Sequence, residues 1–164
     1  MAGIVAASMA VASSTGCSVP VDAVAGISVS DDGHLLGVMM VCGHRIDGAT
    51  LYVDSEDVNN QKTVGSWTAD RPLPAGLATW SLQSPSTGWA VSRSLSRLNS
   101  KTTYILYGWT KDNSWSSGSV SFDLTDIGRI SPGTVRYDDI SADGDESAIT
   151  VPLAEFKARA CKDR

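Results

Sequence analysis

Two runs of alternating residues late in the chain restrict it to a β architecture. In Tyr104–Trp109 (YILYGW), Tyr104, Leu106 and Gly108 fall on one face and Ile105, Tyr107 and Trp109 on the other. In residues 119–124, Val120, Phe122 and Leu124 alternate with Ser119, Ser121 and Asp123. A period of two belongs to a strand with distinct faces and does not suit a helix. The polar stretch 111–117 (KDNSWSS) joins the two runs as a loop. The second run is an ordinary half-buried strand. The first places Ile105, Tyr107 and Trp109 on the side that should be wet if Tyr104 and Leu106 face the core.

Upstream, short strand signals recur with turn residues between them. Ile27 and Val29 alternate with serines, as on an edge strand, and Asp31-Asp32-Gly33 is a turn. Residues 35–42 (LLGVMMVC) are apolar on both faces and predict a central strand. Ile46-Asp47-Gly48 reads as a hairpin turn, followed by a strand over 49–54 with Leu51 and Val53 inward and Tyr52 outward. Further strands are predicted over 63–69, 77–82 and 89–95, with a Pro-rich turn at 71–76. This rhythm points to an antiparallel sandwich or barrel. Toward the end come a Pro132-Gly133 turn and an acidic loop over 138–146. A helix of about 150–162 follows, with Leu153, Phe156 and Ala160 on one face.

A chain of 164 residues, 42% hydrophobic and 19% charged, has room for one domain with a proper core. Its net charge of −5 and the lack of any basic run speak against a nucleic-acid partner. Three cysteines, Cys17, Cys42 and Cys161, make an odd set, so one has a role other than internal pairing.

Leu98 and Tyr104, six residues apart at the opening of the alternating strand, resemble the corner of fibronectin type III and related immunoglobulin-like domains. The resemblance implies that the Tyr104 hydroxyl bonds back to the backbone just upstream and fixes a crossing between sheets. It concerns fold and carries no activity. Leu106 stands where the antibody pattern has its second cysteine, so no inter-sheet disulfide is expected at that position. The fold class expected is a mainly β, immunoglobulin/fibronectin type III-like sandwich with a short C-terminal helix.

Residues 1–16 (MAGIVAASMAVASSTG) are uncharged and apolar, with the length of a signal-peptide apolar region and too short to span a bilayer. Ser13-Ser14-Thr15-Gly16-Cys17 resembles a bacterial lipobox, in which the cysteine carries a diacylglycerol after cleavage. Ser14 departs from the usual Leu, and no Lys or Arg precedes the apolar run. A plain secretory signal and a buried N-terminal strand are the alternatives. The domain reading is therefore a signal segment over 1–16, a tether over 17–25 and one domain over 26–164, held at the membrane surface through Cys17.

The lipobox, Val41-Cys42-Gly43, the Tyr corner, the Pro132-Gly133-Thr134-Val135 turn and the closing Glu155-Phe156 and Ala160-Cys161 together resemble small secreted actinobacterial lipoproteins of unknown function. That resemblance implies a Cys42–Cys161 disulfide, with Cys17 left for lipid. Two reduced thiols are the alternative. An oxidising compartment would permit the bridge.

Chemistry-bearing clusters are sparse. His34 and His44 with Asp32, Asp47 and Asp54 match no zinc spacing, and no Gly-x-Ser-x-Gly element is present. The acidic stretches 54–57 and 143–146 lack the full calcium-loop pattern. No metal, cofactor or catalytic set is assigned. The sharpest candidate is an aromatic patch of Tyr52, Ile105, Tyr107 and Trp109, extended by Trp115 in the loop. Such a face can stack on sugars or bury in a protein partner. Leu153 and Phe156 of the C-terminal helix are its expected internal cover. The functional expectation is a non-enzymatic envelope module that binds a protein or glycan. The alternatives are an extracytoplasmic hydrolase or metal-dependent enzyme using His34 or His44, and a purely structural lipoprotein.

Overall fold

The computed structural model describes residues 18–57, 60–84, 86–140 and 144–162. The export segment and Cys17 lie outside the described residues.

The chain is mainly β, with a short helix near its C-terminus. Its strands are β1 (Val21–Val29), β2 (Leu35–Val41), β3 (Ile46–Val53), β4 (Thr63–Leu73), β5 (Gly76–Ser81) and β6 (Trp89–Arg93). They continue with β7 (Tyr104–Trp109), β8 (Ser116–Gly118), β9 (Val120–Phe122), β10 (Thr134–Ile140) and β11 (Glu146–Pro152). Among the described residues two helices, α1 (Leu124–Ile127) and α2 (Leu153–Arg159), complete the order. Hydrogen bonding runs β11-β10-β1-β8-β7-β3-β4-β6, with β2 bridging β1 and β5, and β9 on β7. All pairs are antiparallel except β1 with β8.

The strands form one hydrogen-bonded sheet that curls over a shared core. Met39 of β2 reaches Gly108 of β7, where an added Cβ would stand 2.6 Å from the methionine methyl. Three tryptophans belong to the same core. Trp80 of β5 stacks on Trp89 of β6 with centroids 4.3 Å apart, and Trp67 of β4 lies tilted against it at 6.4 Å. Ile27, Leu51, Leu106, Val120 and Phe122 complete this core and are buried.

A second, smaller core lies on the far side of β1, β2 and β10. Phe156 of α2 is fully buried there with Val24, Val38, Val135 and Tyr137. The Tyr137 and Phe156 rings meet edge to face at 4.9 Å. Cys42, just past β2, is bonded to Cys161, just past α2, closing a span of 119 residues. The β10–β11 hairpin delivers α2 to this face and the disulfide fastens it there. The sequence-based placement of this helix over the aromatic patch is therefore corrected: α2 packs on β1, β2 and β10 instead.

Several boundaries also differ from expectation. Residues 21–25, expected as tether, belong to β1, and Ala23, Val24 and Ala25 are buried. The strand is no edge, since β2, β8 and β10 all pair with it. Ile46, Asp47 and Gly48 are buried β3 residues rather than a turn, and the chain reverses at 43–45 instead. Leu124, expected as an inward strand residue, opens α1, because Asp123 and Asp126 form a reciprocal capping box that starts a helix. Val151 and Pro152 end β11, so the helix is shorter than 150–162.

Candidate functional site

The outward face of β3 and β7 is built by register. Across the pair, Tyr52 stands opposite Ile105, Thr50 opposite Tyr107, and Gly48 opposite Trp109. All four apolar side chains are half-buried. On the other flank of β3, Thr50 faces Ser66 and Gly48 faces Thr68 of β4. The face thus carries a row of aromatic rings beside a strip of hydroxyls.

Gly48 explains how a tryptophan lies flat here. A Cβ at this position would stand 2.4 Å from Trp109 Cζ2 and 2.7 Å from the Trp67 carbonyl oxygen. The missing side chain leaves room for the indole to cross β3. The indole nitrogen then donates to Thr50 Oγ1 at 2.9 Å, and Thr50 Oγ1 lies 3.5 Å from Ser66 Oγ. Tyr52 and Tyr107 meet edge to face with centroids 5.7 Å apart and planes at 77°. Burial pushes the Tyr52 hydroxyl above its usual value, and Tyr107 and Asp54 add to the shift. The strip extends outward through Thr68 Oγ1 and Ser92 Oγ, 2.8 Å apart.

Trp115 is not in this row. It stacks on His44 with centroids 3.6 Å apart and planes at 19°. His44 Nδ1 lies 2.9 Å from Asp22 Oδ2, which also accepts the Gly43 N–H at 3.0 Å and the His44 N–H. Partial burial opposes ionisation of Asp22, but these bonds outweigh it and hold the carboxyl below the usual range. The cluster fastens the start of β1 to the β2–β3 turn. No described side chain bonds to the other His44 ring nitrogen. His34, at the opposite end of β2, bonds through Nδ1 to Gln83 Oε1 at 3.2 Å. The two histidines are not brought together. Among the described residues no group of three or more His, Cys, Asp or Glu side chains is placed to hold a metal ion.

The predicted corner residues have a clear geometry. Tyr104 is buried and its hydroxyl accepts the Asn99 N–H at 2.7 Å, one residue past Leu98. Of the five patch residues named from the sequence, Tyr52, Ile105, Tyr107 and Trp109 share a face and Trp115 does not. Gly48, Thr50, Ser66 and Thr68 were missed. Thr50 alternates with Tyr52 in sequence, which was a usable signal; Gly48 was hidden by its resemblance to a turn.

Comparison of the chain with protein-family models, with characterised proteins and with solved structures finds no match.

Proposed function

We propose that this protein is an exported, lipid-anchored envelope module of immunoglobulin/fibronectin type III-like type that binds a glycan through the outer face of β3 and β7. The observation that carries the reading is the juxtaposition of Tyr52, Tyr107 and Trp109 with the hydroxyls of Thr50, Ser66 and Thr68 on one pleated surface. Sugar rings present apolar C–H faces and a hydroxyl rim. Aromatic rings receive the first and serine and threonine hydroxyls the second. Export is supported by the Cys42–Cys161 bridge, since disulfides persist in oxidising compartments. A non-enzymatic role is supported by the use of His44 and Asp22 to lock a turn.

The test is a titration of the folded chain with soluble cell-envelope oligosaccharides, followed by tryptophan fluorescence. Saturable quenching is expected, with at least about tenfold weaker binding on Trp109→Ala or Tyr107→Ala. Absence of binding, or binding that neither change weakens, overturns the reading. Mass measurement of the protein from its native cell tests the anchor: cleavage before Cys17 with an added acyl mass supports it, and a chain retaining residues 1–16 removes it.

A further inference from the structure

A concave surface lies at the other end of β2 from the Cys42–Cys161 bridge. Leu35, Leu95, Leu98, Leu124 and Ile127 line a cleft of about 440 Å3. That size falls within the range of small-ligand sites, roughly 300–1,000 Å3. Gln83, Ser96 and Arg97 supply its polar side chains, and Gln83 and Arg97 carry N–H donors. Gln83 Oε1 already accepts the Leu35 N–H at 2.9 Å and bonds His34 Nδ1 at 3.2 Å, which leaves the carboxamide NH2 to donate. Arg97 also lines the cleft and forms no ion pair with any described residue. In a chain of net charge −5, this is a cation without a counter-ion among the described residues.

The walls are fixed in place. The Ser96 N–H donates to the Val64 carbonyl at 2.7 Å, and the Asn99 N–H donates to Tyr104 Oη at 2.7 Å. Arg97 and Leu98 are therefore held between two backbone anchors. On the opposite wall, the Asp123–Asp126 capping box shapes α1, and Arg136 Nη2 reaches Asp126 Oδ2 at 3.1 Å. A site whose walls are already ordered loses little entropy on filling.

We propose that this cleft binds a small amphipathic carboxylate, with an apolar chain against the leucines and Ile127 and the carboxylate on Arg97 and the Gln83 amide. Apolar burial supplies the affinity, and the paired donors select an anionic end over a neutral one. The site is separate from the aromatic face and does not depend on glycan binding.

The test titrates the full folded chain with decanoate, decan-1-ol and acetate below micellar concentrations, read by heteronuclear NMR shifts and calorimetry. Decanoate should bind saturably at one site, with shifts centred on Leu95, Leu98 and Ile127. Decan-1-ol should bind about tenfold more weakly, and acetate should show no saturation. Arg97→Ala should remove the preference for decanoate over decan-1-ol, and Arg97→Lys should keep most of it. Arg97 is exposed, so both variants fold. Lack of saturable decanoate binding, shifts centred elsewhere, or a preference that survives Arg97→Ala overturns the proposal.

Discussion

The Trp109 indole crosses β3 over the bare backbone of Gly48, close enough that a single methyl group at residue 48 would collide with it. The aromatic face depends on this absence of a side chain as much as on the rings themselves.

Gly48→Ala should therefore be costly. The added Cβ meets Trp109, which can turn away, and also the Trp67 carbonyl oxygen, which is held in the sheet. A loss of about 1–3 kcal/mol is expected, the usual cost of overpacking. Denaturant unfolding measures it. The near-UV circular dichroism of the folded variant should change as the indole leaves its bond to Thr50.

Tyr104→Phe removes one oxygen from a buried site and leaves the Asn99 N–H without its 2.7 Å partner. The ring still packs against Phe122. A loss of about 1–2 kcal/mol is expected. Amide exchange should quicken at Asn99, and an unchanged exchange rate there would show that the corner bond contributes nothing.

Cys42→Ser with Cys161→Ser opens a loop of 119 residues. The chain-entropy model puts the loss at roughly 4–5 kcal/mol, an upper figure for this span. The thermal midpoint should fall well below that of the oxidised protein. Because the bridge fastens α2, the change in amide protection should centre on residues 153–160 and on Val24, Val38 and Tyr137.

Asp138 gives a pH dependence of opposite sign to most paired carboxylates. Burial is the largest influence and raises its pKa from 3.8; the Ser121 N–H bond lowers it, Glu146 raises it and Arg136 lowers it. Among the described residues its Oδ1 has no hydrogen-bond partner. A raised native pKa means that the native state holds the proton more tightly than the unfolded chain. The stability this group contributes is full below 3.8 and is lost as pH rises through the raised value. Asp138→Asn keeps an acceptor for Ser121 and cannot ionise. Its stability relative to the parent should rise between pH 3.5 and pH 7; a flat difference across that range would contradict the sign.

The extent to which the sequence was readable varied with the range of the interaction. The strands at Leu35–Val41, Trp89–Arg93 and Tyr104–Trp109 were plain, because side-chain alternation or a continuous apolar run is written locally. Ile46–Val53 was half read: Asp-Gly is a strong local turn signal, and it was overruled because Asp47 accepts the Lys111 N–H at 2.8 Å from another strand's loop. The start of β1, expected as tether after cleavage before Cys17, becomes a strand only through its pairing with β2, β8 and β10.

The sequence by itself determined a mainly β chain, its outward aromatic row and the corner at Leu98 and Tyr104. Each follows from the two-residue period of a strand or from a short fixed spacing. Only the tertiary structure decided that α2 covers β1, β2 and β10, that Trp115 stacks on His44, and that Gly48 supports Trp109. Those depend on which strands pair, and pairing is set by register between segments far apart in the chain. Local pattern does not encode that register.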